Sequence, residues 1–112
     1  MPATVIADVF SGLPNPQWTV AGDLLVQLHV MLAQLAPYHG LVPEPPGLGY
    51  RGLVVQFSPE EGRESLRVFG GYLVGARETW LDPGHALERW LLETGIRATD
   101  ADILKELLAE LR

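Results

Sequence analysis

The chain contains no cysteine. That excludes a disulfide framework, thiol catalysis and cysteine-based zinc sites, and it suits a reducing compartment. Basic charge is also scarce. Eight Lys and Arg stand against fourteen Asp and Glu, for a formal net charge of −6. An acidic surface repels phosphate backbones and anionic lipid, so neither nucleic acid nor membrane is expected as a partner. Long hydrophobic runs are missing too. The best candidate, residues 21–36, is interrupted by Asp23, Gln27, His29 and Gln34, and a membrane span needs about 18–20 apolar residues. Met1-Pro2-Ala3-Thr4 shows no basic region followed by an apolar core, so no signal peptide is expected and the expected location is cytoplasmic.

What is present is the composition of a folded chain: 112 residues, 47% apolar and 20% charged. That length predicts a single small globular domain over 1–112, with one modest core. Residues 4–10 are β-branched and aromatic and read as a strand, with Asp8 the odd polar residue on the Ile6 face. In the following loop Gly12, Pro14, Asn15 and Pro16 lead to Trp18. The two prolines fix φ and push their predecessors toward extended backbone, which gives a stiff, non-repetitive segment. Residues 20–36 read as a helix, with Leu24, Leu25, Leu28, Met31, Leu32 and Leu35 on one stripe and Pro37 as its stop.

Residues 38–52 form a second stiff connection, with Pro43, Pro45 and Pro46 followed by Gly47, Gly49 and Gly52. A strand is expected over 53–57, a polar turn over 58–64, and an antiparallel partner strand over 66–74 in which Gly70-Gly71 suggests a bulge or a close backbone approach. Asp82-Pro83 reads as the start of a second helix, with Gly95 just past its end. Thr99 to Asp102 resembles a capping box for a last helix over 100–111. The fold class expected is α+β: a small three-stranded, mostly antiparallel sheet packed by two to three helices in the order β-α-β-β-α-α.

No stretch specifies a reaction. Residues 47–52 match G-x-G-x-x-G, but a proline stretch precedes them and a strand follows, which is the wrong context for dinucleotide binding. Two readings of that segment remain: an anion-binding nest assisted by Arg51, or an entry into a strand with Tyr50 packed and Arg51 at the rim. Asn15 and Trp18 carry a similar choice between reading a ligand and bonding the loop and core. His29, His39 and His85 lack helical metal-pair spacing. Ser11, Ser58 and Ser65 sit in turn-like contexts without a nucleophile elbow, and Glu60, Glu61 and Glu64 read as a solvated cluster. No metal or cofactor is expected.

Residues 10–18, Phe-Ser-Gly-Leu-Pro-Asn-Pro-Gln-Trp, give the chain a resemblance to a group of small uncharacterised bacterial and fungal proteins with an F-S-G-x-P-N-P-x-W loop. Gly47 to Gly52, Gly70-Gly71 and Asp82-Pro83-Gly84 are similar to that group as well. The resemblance implies a defined domain with a shaped loop and carries no activity. Leu13 stands where a basic residue is expected in that loop.

The leading functional expectation is a non-catalytic binding or accessory module that presents the two proline-stiffened loops, through Asn15, Trp18, Tyr50 and Arg51, to a protein, peptide or small ligand. The alternative is a small enzyme whose acid or base, Asp8, His29 or His85, works at a site completed by a homodimer interface. The last helix offers Ile103, Leu104, Leu107, Leu108 and Leu111 as a stripe for the chain's own core or for a dimer seam with Lys105, Glu106, Glu110 and Arg112 on its rim.

Overall fold

A computed structural model describes residues 2–9 and 14–111. Residues 10–13 of the first loop, with Ser11, and Arg112 of the last helix's rim lie outside the described residues. The fold is α+β with an antiparallel sheet and three helices, but the sheet has six strands, not three. In chain order these are β1 (Ala3–Ala7), β2 (Gln17–Val20), α1 (Asp23–Ala33), β3 (Leu53–Gln56), β4 (Leu66–Phe69), β5 (Tyr72–Val74), β6 (Thr79–Leu81), α2 (Ala86–Thr99) and α3 (Asp102–Glu110). The spatial order is β2-β1-β3-β4-β5-β6, with every neighbouring pair antiparallel.

Short strands account for the difference in strand number. Gln17–Val20 pairs with β1, Val5 opposite Trp18, so the expected first helix gives up its start and runs only over Asp23–Ala33. The expected strand over 66–74 is a hairpin. Phe69 pairs with Tyr72, and Gly70 and Gly71 form the two-residue turn between them at φ 63° and 91°. Two consecutive positive φ values match the right-handed twist of flanking strands, which glycine supplies without strain. Thr79–Leu81, only three residues long, closes the sheet beyond β5.

Alternation along the strands sets two faces. Val5, Leu53, Val55, Leu66, Val68 and Leu73 point to a core face where they are almost fully buried. The helices cover this face. Leu28 of α1, Leu87, Leu91 and Leu92 of α2, and Leu104 of α3 complete the core. Leu107 and Leu108 of α3 are buried in the same core.

Three helix boundaries depart from expectation. α2 starts not at Asp82-Pro83 but at Ala86, after a 3-10 turn over Pro83–His85 in which Gly84 is left-handed. α2 passes through Gly95 and ends at Thr99. Gly95 does not terminate the helix; it makes room for Trp18, whose ring would lie 2.6 Å from any Cβ built there. Trp18 is 5% exposed, and its indole N–H donates to Thr94 Oγ1 at 3.0 Å, so the ring pins β2 to α2. α3 begins at Asp102 after a left-handed Asp100, and Thr99 is spent on the turn, donating to Gly95 O and accepting from the Ala101 N–H.

The second proline loop first lines the outer edge of β6. Leu81 N–H donates to Ala36 O, Tyr38 N–H donates to Thr79 O, and the Tyr38 ring meets Tyr72 at 5.2 Å. The chain then crosses the outer sheet face, where Pro43 and Pro45 face Arg67, Phe69 and Val74. Among the described residues no helix is long and apolar enough to cross a membrane.

Candidate functional site

Both stiff loops converge on the last residues of β1. On one side, Ala7 N–H donates to Pro16 O at 2.9 Å and Val9 N–H to Asn15 Oδ1 at 2.9 Å. On the other, Asp8 N–H donates to Gly52 O at 3.0 Å and Arg51 N–H to Asp8 O at 2.8 Å. Gly52 makes this junction feasible. Its φ is +104°, and an added Cβ would lie 2.7 Å from Val68 O and 2.8 Å from the Phe69 Cβ. No side chain fits at such distances, and the backbone geometry suits glycine alone.

Asp8 faces outward from this end of β1, and two guanidiniums meet it. Arg67 Nη1 donates to Asp8 Oδ2 at 3.0 Å and to Arg51 O at 2.8 Å. Arg51 Nη1 lies 4.0 Å from the same carboxylate oxygen. The Arg51 side chain is 43% exposed, yet its Nε is buried with no hydrogen-bond partner. One carboxylate therefore serves two cations, and the closer one takes its best geometry. A fixed guanidinium with unused donors binds carboxylate or phosphate oxygens well.

The residue before Arg51 goes the other way. Tyr50 Oη donates to Glu88 Oε2 of α2 at 2.5 Å, and its ring meets Phe69 edge-on at 5.7 Å. Glu88 is 1% exposed. His85 Nδ1 lies 3.3 Å from the other carboxylate oxygen, Oε1. Asp82, also buried, accepts the N–H groups of Leu87 and Glu88 at 2.8 and 3.1 Å and so caps α2 after the single 3-10 turn Pro83–His85. Burial raises the Glu88 carboxyl above its ordinary range. The bonds from Tyr50 and His85 oppose that rise, and the nearby Asp82 charge reinforces it. Burial, then the Glu88 charge, raises the Tyr50 hydroxyl, which stays a donor. His85 itself sits at φ 56°, a left-handed conformation unusual for a non-glycine residue.

The residues singled out by sequence thus divide. Arg51 stands at the rim, Tyr50 is tied to α2, Asn15 bonds its own loop, and Trp18 lies in the core. Asp8, His29 and His85 fall in three separate clusters: Asp8 with Arg67, His29 with Glu61 at 2.8 Å, and His85 with Glu88. Sequence reasoning did not select Arg67 or Glu88. Both left a signal: a charge within an apolar strand, and a carboxylate four residues before the buried Leu92 on the inward stripe of α2. Among the described residues no group of three His, Asp or Glu side chains gathers as a metal site requires.

No protein-family model, curated protein or solved structure matches the chain.

Proposed function

We propose that this chain is a non-catalytic binding or accessory module. Its second proline-stiffened loop sets Arg51 beside Arg67 of β4, and this guanidinium pair meets an anionic group on a protein, peptide or small ligand. The observation that carries this reading is the shared carboxylate: Arg67 holds Asp8 at 3.0 Å, while Arg51, its side chain 43% exposed, reaches it only at 4.0 Å. Within an acidic chain, this is a local excess of positive charge on a stiff support, which lowers the ordering cost of binding. In this reading Asn15 and Trp18 fix the first loop, Tyr50 fixes the second, and Arg51 makes the contact. The α3 leucines, in this reading, serve the chain's own core, where Leu104, Leu107 and Leu108 are buried. The test is an equilibrium titration with citrate and with inorganic phosphate at low ionic strength. Saturable binding lost in Arg51→Gln, in a chain that remains folded, supports the module. Equal binding by Arg51→Gln contradicts it.

A second reading, a small acid–base enzyme completed at a homodimer interface, draws on one observation. His85 is oriented by the buried Glu88 and is held in a left-handed backbone conformation, and strained residues of that kind cluster at functional sites. A strictly monomeric protein, or unchanged turnover in His85→Gln, removes this reading.

A further inference from the structure

On the side of β4 opposite Arg67, a cleft of about 440 Å³ opens between the end of α1 and the core face of the sheet. Its floor is Leu66, Leu73 and Trp80 from three adjacent strands, its wall is Leu32 and Leu35, and Arg63 and Glu64 stand among its lining residues. The cleft exists because α1 seats only Leu28 fully in the core, leaving Leu32 and Leu35 half-buried. The size falls in the range of small-molecule sites, roughly 300–1,000 Å³.

The two charged residues differ in availability. Glu64 Oε1 accepts the Ala76 N–H at 2.9 Å and is fixed by it. Arg63 lies over the Phe57 ring at 5.4 Å and, among the described residues, has no ion pair. A cation steadied by an aromatic face and lacking a carboxylate partner is complementary to an anion. We propose that this cleft binds a small amphipathic carboxylate, with its hydrocarbon body on Leu32, Leu35, Leu66, Leu73 and Trp80 and its carboxylate on Arg63. This site is independent of the Arg51–Arg67 pair, which lies on the other face of the sheet.

The test is a ¹H–¹⁵N NMR titration of the full chain with decanoate below its micelle concentration, with decanol and citrate as controls. Decanoate is expected to give saturable shifts at Leu35, Leu66 and Leu73 and at the Trp80 indole. Arg63→Gln is expected to weaken decanoate binding by about tenfold, as loss of a charge-assisted contact should, while leaving decanol binding unchanged. Ala33→Trp, at an exposed position on the cleft, is expected to leave the fold intact and to block both ligands. Arg51→Gln changes neither. Absence of saturable shifts, shifts that persist in Ala33→Trp, or decanoate binding undiminished in Arg63→Gln each overturns the proposal.

Discussion

Two carboxylates near the same end of the sheet have opposite surroundings. Glu88 is buried, is held by Tyr50 and His85, and carries a raised pKa. Asp8 is half-buried and faces two guanidiniums, one of which it serves poorly. The Glu88 cluster is closed: its hydrogen-bonding capacity is used internally, and it locks the second loop to α2. The Asp8 cluster is open: its donors outnumber its acceptors, and it faces solvent. Polar groups that are satisfied and buried specify a structure, whereas under-satisfied groups at a rim are those a ligand completes.

The largest effect is expected from loosening the packing of α2, the helix that carries Glu88. Trp18→Ala deletes the ring wedged against Gly95 and is expected to cost about 3–5 kcal/mol in urea unfolding, as large-to-small core changes do. Tyr50→Phe leaves Glu88 Oε2 buried without its donor and is expected to cost about 1–3 kcal/mol. A loss as small as that of a surface substitution would mean the Glu88 cluster is not closed.

The pH dependence sharpens the same point. The unfolded glutamate titrates near 4.5, and in the folded chain Glu88 holds its proton to higher pH. The folded state therefore binds more protons in that window, and the Glu88 contribution to stability falls as pH rises from about 4.5 through the raised value. Urea midpoints measured against pH should show this fall, and Glu88→Gln should flatten it.

The open cluster predicts smaller effects on stability. Arg67→Gln removes two half-exposed hydrogen bonds and is expected to cost about 1 kcal/mol. Arg51→Gln should change stability by no more than about 0.5 kcal/mol while removing anion binding. A large destabilisation in Arg51→Gln would move Arg51 into the scaffold.

The fold was legible where a pattern persisted over many residues. The α+β class and the leucine face of the last helix follow from long periodic runs, whereas the helix expected to start at Asp82-Pro83 begins only at Ala86, after a 3-10 turn. Strands of three or four residues escaped, because Gln17–Val20 runs into a helical pattern and Thr79–Leu81 is too short to show alternation. Gly70-Gly71 is a turn and not a bulge, with the Asp82 backbone bonded to Gly71 O, and Gly95 lies inside its helix and does not end it. A glycine pair marks a turn or a bulge equally well in sequence, and only the Phe69–Tyr72 pairing decides. At Gly95 the deciding neighbour, Trp18, is far away in the chain. The candidate site was half legible for the same reason. Arg51 and Tyr50 stand out beside glycines, but the Arg67–Asp8 and Tyr50–Glu88 contacts join residues 59 and 38 positions apart, which no local pattern encodes.

Arg51 stands at the rim with its guanidinium only loosely engaged by Asp8. The most direct measurement is the Arg51 guanidinium Nη–H resonance in ¹H–¹⁵N spectra of the full chain as citrate is added. A saturable shift of that resonance, shared with Arg67 and absent at Arg63, is the predicted result. An Arg51 resonance that stays fixed throughout the titration would contradict the account.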